Sequence, residues 1–589
     1  MKQFLITVAG VLVGLILFVI IAPIALISMV AGNAEKAANT NPSSMVLSID
    51  LREPMPDQPS RSPFAGFEQA QSTIEFVRHL EAAGRDQAVK GLYIRANTTG
   101  MAPAQAEEIR SALASFRKTG KFVLTHIQND SFTTSLAGYA ATAGSDEVWL
   151  QETGELMPMG LAAEGTFLGG FFEKFKLQPQ FEQREEYKNA VNEFTQKGFT
   201  PAHREATQGL LDSVYNTFVA SIAADRKLTV DQARAAIQGT PYLGAQAVQA
   251  KLVDKLGRPE DAEAAALARA GDDAELVAFA DYKPKPKTDG PVIALVGGEG
   301  AIISGPSEDS PFGGGGDMNS DEIARALLDA AEDEDVKAIV FRVSSPGGSA
   351  VASDQILNAV KLAQAKGKKV VVSMGEYAAS GGYYVSASAD AIVASPTTIT
   401  GSIGIFGGKI VVGEAAREYL GVTSDTVQVG SPLVTMLSGY EPFTNSQRQA
   451  FAEMIDRGYL DFRTKVAEGR KMPIEKVNAL AKGRVWTGAQ AKENGLVDEL
   501  GGLSVAVERA KALAEIKPET AVRLKLYPEQ QSPFEAFRTL FGASAEGARA
   551  AAVLGGVLGD ERVSAALQRM VAEERAGVMR AESEPVRVR

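Results

Sequence analysis

No cysteine occurs anywhere in the 589 residues, so disulfides, thiolate metal sites and a cysteine nucleophile are all excluded. Histidine is nearly as scarce. The three present, His79, His126 and His203, are scattered, and none has a second histidine at helical ligand spacing, which favours structural roles over a metal site. Proton transfer in this chain is therefore expected to run without imidazole, and no metal or organic cofactor is expected. Also missing is any Lys/Arg-rich run of the kind that neutralises phosphates. With a formal net charge of -12 spread along the chain, a nucleic-acid partner has no support.

What is present begins with one long apolar run. Phe4 to Val30 is uncharged, follows Lys2 and extends for 27 residues, enough to cross a hydrocarbon core of about 30 Å. A cleaved signal peptide would carry an apolar region of only about 7 to 15 residues, so an uncleaved anchor over 4–30 is preferred to it. With residues 1–3 inside, the rest of the chain would lie across the membrane. In a bacterium that describes a single-pass protein of the inner membrane with its body in the periplasm.

Sliding the chain against itself exposes a long repeat. Gly239-Thr240-Pro241-Tyr242-Leu243-Gly244-Ala245-Gln246-Ala247 returns as Gly483-Arg484-Val485-Trp486-Thr487-Gly488-Ala489-Gln490-Ala491, 244 positions later. The same offset pairs Arg226 with Arg470 and Leu252-Val253-Asp254 with Leu496-Val497-Asp498. Upstream, Val89 to Arg95 matches Val336 to Arg342 at an offset of 247. The chain is thus read as a first repeat over 45–275, a Lys/Pro-rich linker over 276–291, a second repeat over 292–525 and a helical extension with a charged tail over 526–589.

Within the second repeat, Val292–Val296, Ala338–Val343, Lys369–Ser373 and Ala391–Ala394 have the length and β-branched content of buried strands. Ser320–Glu334 and Ser353–Ala365 have helical patterns between them. Strand and helix in alternation predict an α/β fold with mainly parallel sheets. The Gly313–Gly316 run lacks the Lys-Ser/Thr of a phosphate loop and reads as a mobile surface loop.

Two glycine-rich segments could carry chemistry. Ala378-Ala379-Ser380-Gly381-Gly382-Tyr383-Tyr384 follows a strand and a short connection and precedes a helix of small residues. By itself it fits a nucleophile and a plain helix start equally. Ser345-Pro346-Gly347-Gly348-Ser349 directly follows another strand, where a tight turn aims backbone NH groups over the carboxyl edge of the sheet. The NH of Gly348, with that of Gly381, could hold an oxyanion, although an ordinary Pro-Gly turn also fits. The repeat separates these readings. Ser380 falls opposite Leu136, and the Ser-Pro-Gly-Gly turn falls opposite Thr98-Thr99-Gly100-Met101, so the hydroxyl and the turn occur in one copy only.

These motifs, with Thr400-Gly401-Ser402-Ile403-Gly404, resemble the long, tandem-repeat form of signal peptide peptidase A (protease IV) in the Clp/crotonase-like superfold. The resemblance covers nearly the whole chain. It implies a membrane-bound serine endopeptidase in which Ser380 is the nucleophile and Lys188, within Arg184-Glu185-Glu186-Tyr187-Lys188-Asn189, is the general base. It further implies that Ser402 orients the lysine, that released signal peptides and other hydrophobic peptides are substrates, and that the protein assembles as a homo-oligomer, a tetramer. The second repeat offers no lysine between Lys409 and Lys465, so the two halves are complementary. A lysine base must be neutral, which calls for burial, and Glu185 and Glu186 are expected to point away from it. A crotonase-like acyl-CoA enzyme and a non-catalytic membrane scaffold are the competing readings.

Overall fold

Runs of Val, Ile and Leu that are apolar on both sides of the pleat need cover on both faces, which parallel strands with helical crossovers provide. In the computed structural model, which describes residues 41–59, 71–96, 100–129, 135–284, 290–306 and 316–529, both repeats follow this rule. The first sheet runs in the order Lys255–Leu256, Glu147–Leu150, Phe122–Ile127, Val89–Ala96, Met45–Asp50, Glu275–Ala278, all parallel. The second repeats it as Glu499–Leu500, Ala391–Ala394, Lys369–Ala379, Val336–Ser345, Val292–Glu299, Arg523–Tyr527, again parallel. One antiparallel pair, Ile399–Gly401 with Val485–Thr487, extends the second sheet, and Glu155–Leu156 with Tyr242–Leu243 is its counterpart in the first half.

Side chains repeat as faithfully as strands. The buried hydroxyl of Tyr139 donates to Leu252 O at 2.6 Å, and that of Tyr383 donates to Leu496 O at 2.9 Å. Arg226 pairs with Asp254 at 2.7 Å, and Arg470 pairs with Asp498 at 2.5 Å. Each aspartate also accepts a strand NH, from Val148 and Ile392 respectively, at 2.8 Å in both cases. The tyrosine hydroxyls and the strand NH groups thereby find the same partners twice.

Three element boundaries differ from the sequence reading. The strand expected to stop at Ser373 continues to Ala379, because Tyr377, Ala378 and Ala379 pair with Ile399, Thr400 and Gly401. No separate connection therefore precedes Ser380, and the helix after it, Gly381–Ser386, begins at once. The linker does not begin at 276, since Glu275–Ala278 is an edge strand and Phe279 and Tyr282 are buried in the first core. At the other end, the second sheet continues through Tyr527.

The apolar segment 4–30, Gly313 to Gly315 of the glycine run and the extension 530–589 lie outside the described residues. Among the described residues, no helix is long and apolar enough to cross a membrane.

The repeats are joined by more than chain continuity. Ile74, at the start of helix Thr73–Arg85 in the first half, sits in the core formed by Ile293, Leu295, Val340 and Val371 of the second. Gln178–Gln183 of the first half pairs antiparallel with Phe406–Val411 of the second. That two-stranded ribbon brings residues just after 183 alongside residues just before 406.

Candidate active site

The ribbon determines where Lys188 goes. Beyond its last rung, Arg184 N donates to Ile405 O at 3.1 Å and Tyr187 N to Lys482 O at 3.2 Å, so the chain is held against 402–405 and 482–483 as it reaches Lys188. Gly483 makes that approach possible. A Cβ built there would lie 2.6 to 2.7 Å from Lys188 N, Cα and Cβ, and its φ of +77° also suits glycine.

From this position the lysine side chain turns inward and is 4 % exposed. Its Nζ lies 3.1 Å from Ser380 Oγ, 2.9 Å from Ser402 Oγ and 3.0 Å from Ser402 O. Burial alone pulls the ammonium down from its usual value to about 8. Glu185 and Glu186 are both exposed, and Lys482 lies 3.4 Å from Glu186. Neither carboxylate raises the value of the charged amine. All three bonds of Nζ form within one chain.

Ser380 stands at the end of strand Lys369–Ala379 with φ of 55° and ψ of -118°, an uncommon conformation for a residue with a side chain. Its NH is held by Gly401 O at 2.9 Å. The residue is partly exposed, so the hydroxyl is both fixed and approachable. Ser402, also at positive φ, is pinned through its NH to Arg484 O at 2.8 Å. In the first repeat the position of Ser380 is taken by Leu136, which is buried at the start of helix Leu136–Thr142.

The Ser-Pro-Gly-Gly turn packs directly against this loop. A Cβ at Gly347, where φ is +107°, would lie 2.7 Å from both Gly381 N and Ser380 Cβ. Ile302 N donates to Gly347 O and Ser349 N donates to Ile302 O, so Gly348 lies between two bonds that leave its own NH unused. The NH groups of Gly348 and Gly381 have no acceptor among the described residues. The structure gathers Ser380, Lys188, Ser402, Gly348 and Gly381 in one place. The arrangement can deprotonate a hydroxyl and stabilise an oxyanion beside it. Sequence reasoning missed Gly483 and the 178–183/406–411 ribbon, which together place Lys188.

The model of "Peptidase family S49" matches residues 115–272 and 362–517, one block in each repeat. "Protease 4" of Salmonella typhi is 36% identical over 466 residues, covering 76% of this chain and 73% of that protein. "Protease 4" of Haemophilus influenzae is 31% identical over 533 residues, covering 85% and 84%. The chloroplastic "Serine protease SPPA" of Arabidopsis thaliana is 29% identical over 488 residues, covering 81% and 70%.

Proposed function

The chain belongs to peptidase family S49 and is a serine protease, and on that premise we propose that it works through a dyad of Ser380 and Lys188. The observation that carries this reading is the 3.1 Å separation of the buried Lys188 Nζ from Ser380 Oγ. Neutral Lys188 takes the hydroxyl proton as Ser380 Oγ bonds to the scissile carbonyl carbon. The carbonyl electron pair moves onto oxygen, where the NH groups of Gly348 and Gly381 meet it, each such donor contributing about 3 kcal/mol. Collapse of this intermediate breaks the C–N bond, and Lys188 returns its proton to the leaving amine. Water, deprotonated by the same lysine, then attacks the ester and releases Ser380. Ser402 accepts from Nζ through both its oxygens, which aims the amine lone pair at Ser380.

The substrate class that suits this reading is hydrophobic peptide, released signal peptides included. Its support is the family resemblance of the Ser380 and Ser345–Gly348 motifs and the apolar segment 4–30, which would place the enzyme on the membrane where such peptides collect. Assembly as a homotetramer around the sites belongs to the same proposal. The decisive experiment is hydrolysis of a fluorogenic hydrophobic peptide by purified protein. Ser380→Ala and Lys188→Ala should each lose about 10³-fold or more in kcat/KM while keeping the wild-type circular dichroism spectrum. Near wild-type turnover in either folded variant would remove the dyad.

A further inference from the structure

One helix of the first repeat bonds to each of the segments that lead to Ser380, Ser402 and Gly348 in the second. Helix Pro103–Lys118 begins without a capping side chain of its own, since Ala102 occupies the N-cap and Pro103 has no NH. The free first-turn NH of Ala104 donates instead to Glu376 Oε2 at 2.9 Å, on the strand that ends at Ser380. One turn on, Glu107 Oε2 accepts from Thr397 N at 2.9 Å and from Thr397 Oγ1 at 2.6 Å, on the segment that leads to Ser402. Next to it, buried Glu108 takes Arg342 Nη2 at 2.7 Å, on the strand that leads to Gly347 and Gly348, and Leu503 N at 2.5 Å. Glu376 stands four positions before Ser380, Thr397 five before Ser402 and Arg342 six before Gly348.

We propose that helix Pro103–Lys118 is a positioning element for the dyad, and that Glu107 is the positioning residue that sets the place of Ser402 and so keeps Lys188 Nζ out of water. Between Thr397 and Ser402 the chain is stiff. Thr398 Oγ1 donates to Gly375 O at 2.8 Å and Thr400 Oγ1 to Ala378 O at 2.7 Å, both buried. A displacement at Thr397 is therefore carried to Ser402 instead of being absorbed on the way. Because burial alone depresses Lys188, any gap opened beside Ser402 lets its amine back towards an ordinary, protonated lysine. The charged groups around Glu107 are Arg110 on its own helix and Glu376 across the joint, with Asp57 beyond Glu376. Burial pushes Glu107 upward, and burial with the charges of Asp57 and Glu107 pushes Glu376 to about 7; an amide at position 107 keeps an oxygen that can accept from Thr397.

The proposal rests on the Ser380/Lys188 reading, and its test keeps the two apart. Full-length protein in detergent would be assayed with a fluorogenic hydrophobic peptide from about pH 6 to about pH 10, with kcat and KM measured separately. In Glu107→Ala the acid limb of kcat/KM should move up by about one unit, so that activity at neutral pH falls roughly tenfold through kcat with KM little changed. Glu107→Gln, which can still accept from Thr397, should return the limb to its wild-type position. If Glu107→Ala does not fold, Thr397→Val, which removes one of the two bonds, should shift the limb in the same direction. A wild-type limb in the folded alanine variant, or in Thr397→Val where alanine does not fold, would overturn the proposal, as would a glutamine variant as impaired as alanine. An active Lys188→Ala protein would bring down the dyad itself, and the proposal with it.

Discussion

In the proposed dyad Lys188 must shed its proton to act, and desolvation alone lowers the value of its ammonium. With its value near 8, about a tenth of the lysine is neutral at pH 7, and kcat/KM is expected to rise with pH and level off above about 8. The same burial works against stability. A lysine whose folded value lies below its unfolded 10.5 penalises the fold fully below about pH 8, and the penalty fades as pH rises towards 10.5. Lys188→Met should therefore be inactive yet more stable at neutral pH, by up to about 3 kcal/mol, with the gain vanishing above about pH 10.5. Urea titrations at about pH 7 and about pH 10.5 would show it, and an equal effect at both would refute the linkage. Ser380 was legible in the sequence because its repeat partner is Leu136. Lys188 was not singled out by its own residue type, since a lone lysine is ordinarily a surface group, and only the family resemblance pointed to it. Gly483 was hidden for the opposite reason. Its partner Gly239 is also glycine, so it looked like scaffold.

Strands and turns place these residues, and their lengths are where sequence pattern was weakest. Strand Lys369–Ala379 outruns its apolar run because Glu376 and Tyr377 are held by pairing and by a cross-repeat bond, neither of which a periodicity can show. The ribbon of 178–183 with 406–411 contains Gln, Pro, Gly and Lys among its residues, so it carries little strand signal, yet it brings Lys188 of one repeat towards Ser380 and Ser402 of the other. Gly483→Ala tests that element. The added methyl meets Lys188 backbone within 2.7 Å, and the left-handed conformation resists a side chain. A loss of about 1 to 3 kcal/mol in stability is expected. The accompanying fall in kcat should exceed tenfold, because an ångström of displacement at Lys188 is enough to spoil proton transfer. Wild-type kcat in this variant would mean that the chain at Lys188 can move without consequence.

Across the molecule, the two halves form one enzyme because charge and apolar surface both cross the boundary. Arg342, 1 % exposed, is bonded by Asp57 and Glu108 from the other repeat and by Ser373 Oγ at 3.0 Å from its own. Its repeat partner Arg95 instead reaches Gln128 Oε1 at 2.6 Å within the first half. In the sequence Arg342 only marked the end of a repeat match, and nothing there said that its partners come from the other repeat. Arg342→Leu leaves buried Glu108 and half-buried Asp57 without their cation and should cost about 3 to 5 kcal/mol, seen as an earlier urea midpoint. An unchanged midpoint would show that the repeats do not depend on this joint. The repeat architecture and parallel sheets were legible from the 244-residue offset and the β-branched runs, whereas the surfaces that meet were not, because contacts between distant segments leave no periodic trace. The central claim is that a lysine from one repeat activates a serine of the other. It is tested most directly by the rate at which a peptidyl fluorophosphonate labels the full-length protein, with the adduct mapped by mass spectrometry. The dyad predicts one adduct, on Ser380, forming faster as pH rises through about 8 and about 10³-fold more slowly in Lys188→Ala. An adduct elsewhere, or an undiminished rate in Lys188→Ala, would contradict it.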